Sequence, residues 1–336
     1  MRAVRGHFAA CGFATSTAGH CEAASGLLRA LLVLLLLPVL SCRQREAPPV
    51  LRIFHAAGFA PFLEQIRDDC RRDLVVDLQT EGSGSQEACR KVSELGRPCD
   101  LLVLADNQLA AALLGRGCRW RIDFAADECV LGVGTRAPQV ERAQKDWPAV
   151  VLDDRVRLAR VDETLSPIGY RTLLVLTLQE RLGCPGLCER LLGKCSQVVD
   201  DVERLPPLLR SGQADYAILY RSTCIAHGIR YVELDPRVNL GSPEVDYTRA
   251  EVRFAKLKSG DREMVVIRGS PIVWSMVRPA DGDGRDPAAF LDYVLSQKAG
   301  DLDAVGLRPL RRARFFGPAD AYQPFRALAD HAGDTP

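Results

Sequence analysis

Two stretches, Arg52–Glu64, RIFHAAGFAPFLE, and Glu81–Val92, EGSGSQEACRKV, decide the fold between them. Each reads as a short buried strand, a turn of small residues and a helix. A first strand is expected at Leu51–His55. A first helix follows at Phe59–Arg71, with Phe59, Phe62, Leu63 and Ile66 at helical spacing. The pattern predicts a second strand at Leu74–Leu78 and helix at Ser85–Leu95, then a third pair at Leu101–Ala105 and Asn107–Leu114. Ser83 and Gln86 make a candidate capping box. This βαβαβα order predicts an α/β fold with a mostly parallel sheet and helices on both faces. Ligands of such open sheets bind outside the C-terminal strand ends. Here those ends carry His55–Phe59, Gly82–Ser85 and Ala105–Asn107. Two helix N-termini aimed at one place offer unsatisfied N–H groups and the positive end of the helix dipole. That favours an anion without any fixed charge.

Working outward, Ile122–Gly134 is a long extended run, suited to leaving one lobe and entering another. A second α/β stretch follows. It has a strand at Val156–Val161, a loop at Asp162–Ile168, helices at Gly169–Leu182 and Val202–Arg210, a strand at Tyr216–Tyr220 and a helix at Ser222–Gly228. Tyr231–Leu240 reads as the return crossing. Strands at Val252–Lys256, Glu263–Arg268 and Ile272–Arg278 and helices at Asp286–Gln297 and Asp301–Val305 complete the chain. Two crossings predict two lobes with a cleft between them. Residues 51–125 and 236–336 form one lobe and 126–235 the other. Such lobes close on a ligand by hinge motion.

The 336 residues are 47% hydrophobic and 26% charged with net charge +1, so nothing argues for nucleic acid as a partner. The apolar run Ala30–Leu40 follows Arg2, Arg5 and Arg29. It is too short for a membrane span, which needs about 20 residues, and fits an export signal. Val39-Leu40-Ser41-Cys42 resembles a bacterial lipobox. On that reading 1–41 is a lipoprotein signal, Cys42 is lipidated, and 42–50 tethers an extracytoplasmic, membrane-anchored monomer. Ordinary signal cleavage beside an incidental cysteine is the alternative. Of twelve cysteines, Cys11 and Cys21 fall in the signal and Cys42 carries the lipid, and the odd remainder of nine leaves at least one unpaired. Cys184, Cys188 and Cys195 cluster in GCPGLCERLLGKC, as a disulfide, as free thiols, or as part of a metal site. A metal site lacks a fourth ligand here, and no metal is assigned.

Further pieces of the sequence carry a resemblance. They are Phe54-His55-Ala56-Ala57, Gly84-Ser85 with Cys89-Arg90-Lys91, Cys99-Asp100-Leu101, Ala105-Asp106 and Pro167-Ile168-Gly169-Tyr170-Arg171. Asp215-Tyr216-Ala217, Tyr220, Asn239-Leu240-Gly241 and Gly269-Ser270-Pro271-Ile272 continue the series. In this order the chain resembles the solute-binding proteins of molybdate/tungstate ABC importers, the tungstate-binding branch most of all. The resemblance implies a type II periplasmic-binding fold, capture of a tetrahedral oxyanion, and delivery to a permease and ATPase. Three positions depart from the family pattern. Gly58 stands where the family usually has Ser, Ser166 where the tungstate branch has Asp, and Leu219 where it has Glu. Those carboxylates accompany expanded metal coordination in that branch, so their absence argues against a six-coordinate metal and leaves plain hydrogen bonding of a tetrahedral anion, a different anion, or a chain that has lost transport.

A dianion accepts hydrogen bonds and donates none, so its cleft should supply donors. The candidate ligand-binding residues are Ala57, Gly58, Ser83 and Ser85 from the first lobe, and Ser166, Gly169, Tyr170 and Tyr220 from the second. No cofactor or catalytic residue is assigned. The plainer expectation for Arg171 is a structural ion pair, for His55 a satisfied buried histidine, and for Arg221 a surface role. An enzyme on the same fold is the rival of another class. It would draw on Asp153/Asp154, Asp162/Glu163 or the Cys224/His227 pair, although no hydrolase, metalloprotease or phosphate-loop motif is present. A sensor using the same cleft without a transporter, or a binder of another small anion, also remains open.

Overall fold

A computed structural model describes residues 48–258, 261–280 and 285–334. The expected signal, the expected lipidation at Cys42 and most of the expected tether fall outside the described residues. Strand β1 (Val50–Ala56) is followed by a 3-10 turn at Ala57–Phe59 and helix α1 (Ala60–Asp69). Strand β2 (Asp77–Ser83), helix α2 (Ser85–Ser93) and strand β3 (Leu101–Leu104) come next. Strands β4 (Cys118–Asp127) and β5 (Cys129–Val133) form one extended run broken only at Glu128. Helix α3 (Val140–Val151), strand β6 (Ala159–Val161), helices α4 (Pro167–Arg181) and α5 (Leu187–Lys194), strand β7 (Gln197–Val199) and helix α6 (Leu205–Ser211) follow. Then come β8 (Tyr216–Tyr220), helix α7 (Arg221–Ala226), β9 (Arg230–Glu233), β10 (Glu251–Lys258), β11 (Asp261–Arg268), β12 (Ile272–Pro279), β13 (Arg308–Phe316) and β14 (Ala329–Gly333).

The largest sheet has seven strands in the order β14-β13-β4-β12-β3-β1-β2, and a second sheet has the order β8-β5-β9. Parallel pairing joins β2, β1 and β3, as the sequence predicts. The pairings β3–β12, β12–β4 and β4–β13 are antiparallel, as are those of the second sheet. The large sheet is therefore mixed and the second sheet antiparallel, with less parallel pairing than expected, because β12 returns from far along the chain and inserts between β3 and β4 of the large sheet.

Alternation in β1 and β3 explains their burial on both faces. Leu51, Ile53, Leu101 and Val103 pack with Phe62, Leu63 and Ile66 of α1. Phe54, Leu102 and Leu104 point the other way, against Ala88 and Cys89 of α2. Each such side chain, fully buried, stabilises the fold by roughly 1.5–3 kcal/mol.

Several local expectations shift. The chain after α1 continues through a π turn to Leu74, and Val75 is left-handed at φ 53°, so the second strand starts at Asp77 rather than Leu74. The capping box does not form. Gly84 caps α2, with no side-chain capping bond, and Ser83 ends β2. Extended structure after residue 230 stops at Glu233. Helix α3 and strands β13 and β14 were not legible in the pattern. The cysteine cluster holds no disulfide, since Cys184, Cys188 and Cys195 all carry free thiols. Cys195 is turned inward, its thiol donating to the Leu158 carbonyl at 3.4 Å, while Cys184 faces Gln179.

Candidate functional site

The parallel register sets Ala56 beside Ser83 and His55 beside Val103, so β1, β2 and β3 end at one edge. The turn after β1 carries Ala57 and Gly58. A Cβ added to Gly58 would lie 3.7 Å from Thr223 Oγ1 and 3.7 Å from the Trp274 ring, so this turn faces α7 and β12. The turn after β2 is pressed harder. A Cβ on Gly84 would fall 2.2 Å from the Leu165 carbonyl oxygen, closer than any side chain tolerates. Gly84 itself has φ −59°, so it is needed for this close approach and not for its backbone freedom. Ser85, fully buried, accepts the Ala105 N–H on Oγ at 3.1 Å, tying the α2 start to the β3 end. Ser83 is buried, and its hydroxyl reaches only the Gly84 carbonyl at 3.5 Å.

Across from these turns, Ser166 caps α4 in extended conformation with φ −141° and ψ 145°. It is buried, not solvent-facing. Gly169 packs so tightly that a Cβ would sit 2.3 Å from the Asp162 carbonyl oxygen, which makes close packing its first role. Tyr170 commits its hydroxyl to the Asp106 carboxylate. Arg171 pairs with Asp106 at 3.0 Å and donates to the Ala105 carbonyl at 2.6 Å and the Tyr220 hydroxyl at 2.9 Å. Asp106 also accepts the Gln108 N–H at 2.8 Å. Burial raises the Tyr170 pKa, and the facing Asp106 adds to it. This buried hub joins β3, α4 and the end of β8. Arg171 is thereby the structural ion-pair partner the sequence favoured, and Tyr220 accepts a bond while keeping its own proton to donate.

Three further polar side chains nearby escaped the sequence reading. Gln86 is 1% exposed, and neither end of its amide has a partner. Thr223 is 2% exposed with Oγ1 unpartnered, and Trp274 is 1% exposed with Nε1 unpartnered. The Trp274 ring lies tilted at 6.0 Å from Phe59 and edge-on at 6.2 Å from Tyr220. Only tertiary packing brings Thr223 and Trp274 together beside Gly58, whereas the polar Gln86 on the first turn of α2 was a visible signal.

The rival groups are otherwise engaged. Cys224 is buried, which raises its pKa, and His227 faces Glu203 at 2.7 Å. Asp162 accepts from Thr164, Glu163 pairs with Arg160 at 2.6 Å, and Asp153 pairs with Arg155 at 2.7 Å. His55 Nδ1 lies 2.9 Å from the Ala56 carbonyl, and burial lowers its pKa. Arg221 Nε lies 3.8 Å from Glu128. Among the described residues, no group of three or more His, Cys, Asp or Glu is arranged for a metal ion, and no helix is long and apolar enough to cross a membrane. A separate hollow of about 890 Å³ lies where β13 leaves β4, lined in part by Asn107, Ser270, Arg311 and Arg314, and none of the candidate residues lines it.

Residues 51–302 match the family model described as bacterial extracellular solute-binding protein. An uncharacterized solute-binding protein of Petrotoga mobilis is 28% identical over 250 residues, covering 72% of this chain and 78% of the relative. The molybdate/tungstate-binding protein of Pyrococcus abyssi is 23% identical over 284 residues, covering 74% and 80%. The periplasmic molybdate-binding protein of Azotobacter vinelandii shares the fold with TM-score 0.55 at 17% identity, over 76% of this chain and 98% of that one.

Proposed function

This chain belongs to the bacterial extracellular solute-binding protein family, and on that footing we propose that it captures a tetrahedral oxyanion, molybdate or tungstate, for an ABC permease and its ATPase. We read residues 51–125 with 236–336 and residues 126–235 as two lobes, and the cleft as the seam between them. Its donors are backbone N–H groups around Ala57, Gly58 and Ser85 and at the start of α4, with hydroxyls of Ser83, Ser85, Ser166 and Tyr220. Gly169 and Tyr170 hold the α4 start in place. The reading includes an extracytoplasmic location and lipid anchoring at Cys42. The observation that carries it is convergence: the turns after β1, β2 and β3 meet α4, Tyr220 and Thr223 in one buried neighbourhood rich in donors. The relatives named for molybdate and tungstate point the same way.

A hydrogen bond to a charged group contributes roughly 1.5–3 kcal/mol. About six of them contribute roughly 9–18 kcal/mol before association costs, a range that spans the roughly 12 kcal/mol of a nanomolar complex. A second reading, a different small anion such as hydrogen phosphate, is favoured by Gln86. Its unpartnered amide brings an acceptor as well as donors to the α2 start, and hydrogen phosphate carries a proton to donate.

Thermal unfolding of the full chain against a panel of oxyanions tests both. Ligand at about 100 times Kd adds about 2.7 kcal/mol. Tungstate or molybdate should raise the melting temperature more than sulfate or phosphate. A larger shift with phosphate selects the second reading, and no shift with any anion defeats the proposal. Ser85→Ala should weaken binding by about 1–2 kcal/mol. Because Ser85 also holds the Ala105 N–H, the stability of the free variant is measured alongside.

A further inference from the structure

The Thr223 hydroxyl has no local use. Threonine in a helix ordinarily bonds the carbonyl four residues back, and Thr172 in α4 does so, donating to the Ile168 carbonyl at 2.8 Å. Thr223 stands in the first turn of α7, and the residue four back, Leu219, lies in β8. Its Oγ1 is without a partner at 2% exposure. The neighbouring Ser222 is anchored differently, its hydroxyl donating to Asp127 at 2.5 Å. That bond fixes the start of α7 and with it the direction of Thr223. Gly58 faces the hydroxyl, and a Cβ added there would sit at an ordinary contact distance of 3.7 Å from it. Gly58 thus tolerates an added atom on the side that faces the hydroxyl.

Resting on the oxyanion reading above, we propose that Thr223 is a further ligand-binding residue of the cleft. Its hydroxyl donates to an anion oxygen held against the Gly58 turn. This accounts for a buried hydroxyl with no protein partner and for the bare Cα opposite it. The burial of Thr223 between α7 and the first turn also makes it a contact formed only when the two halves of the chain meet.

The test compares wild type, Thr223→Val and Thr223→Ser as full chains, titrated with molybdate and with tungstate by calorimetry. Thr223→Val keeps the shape and removes the donor. It should lower affinity about tenfold while leaving the melting temperature of the free protein unchanged or higher, since no internal bond is lost. Thr223→Ser should bind within about threefold of wild type. Wild-type affinity in Thr223→Val overturns the inference and leaves the oxyanion reading standing. If Thr223→Val fails to fold, the serine variant and Thr223→Ala carry the comparison, with the loss expected in alanine alone. Equal affinity of those two overturns the inference. Wild-type protein that binds neither anion defeats the oxyanion reading and this inference with it.

Discussion

Arg171 and Asp106 show how much of the site depends on single side chains. Both are almost fully buried, at 2% and 1% exposure. A buried ion pair becomes costly when one partner is removed, since the other is left charged without compensation. Arg171→Met should therefore destabilise the protein by about 3–5 kcal/mol in urea unfolding, and adding Asp106→Asn should recover part of the loss. Equal stability of Arg171→Met and wild type would refute the hub. Asp127 offers a pH test. Burial comes first among the causes that raise its pKa from 3.8 to about 6, while bonds from Ser222 and the Glu128 N–H pull it down. The folded chain thus holds this proton more tightly than the unfolded one. The stability linked to it is complete below about pH 4 and is lost as pH rises through 6. Asp127→Asn should be more stable relative to wild type at pH 8 than at pH 4, by roughly 2–3 kcal/mol. A difference that does not change with pH would count against the assignment. At this scale the sequence pointed to Arg171, Tyr220 and Ser85. It could not see that Tyr170 spends its hydroxyl on Asp106, because that pairing spans 64 positions.

Among elements, the turns are the critical joints. Gly84 and Gly58 look alike in sequence, each a glycine between a strand and a helix. Their surroundings separate them. An added methyl at 84 meets the backbone of Leu165 at 2.2 Å, whereas at 58 it meets only side chains at 3.7 Å. Backbone cannot swing aside, so Gly84→Ala should cost about 1–3 kcal/mol. Gly58→Ala should leave the stability of the free protein within about 0.5 kcal/mol. Thermal unfolding of the two variants decides it, and equal losses would contradict the close approach of Gly84 to α4. The strand–turn–helix units themselves were legible, since β1, α1, α2 and β3 follow directly from apolar spacing. Their exact ends were not. The π turn at Cys70–Leu74 extends a helix beyond its apolar stripe, and the missed β13 is rich in arginine and mostly exposed, so no alternation marked it.

For the whole molecule, the thiols distinguish a core held by packing from one held by crosslinks. Burial raises Cys70 and Cys99 to about 11 and Cys118 and Cys129 to about 12. The reactive thiolate is scarce in them at pH 8. In the native protein they should alkylate slowly with iodoacetamide, the half-buried Cys184 and Cys188 faster, and all nine on unfolding. Reductant should leave the melting temperature unchanged. A clear fall with dithiothreitol would reveal a disulfide among them.

The amino-acid sequence alone determined the strand–turn–helix units, the family resemblance and the edge of the sheet where small residues gather. These depend on local spacing, which each segment carries within itself. Only the tertiary structure decided which donors are already spent and which stand idle. It set Gly84 against Leu165, turned Ser85 to Ala105, and left Thr223 and Gln86 without partners. Hydrogen-bond satisfaction is a property of neighbours in space, and here those neighbours lie tens to more than a hundred residues apart along the chain.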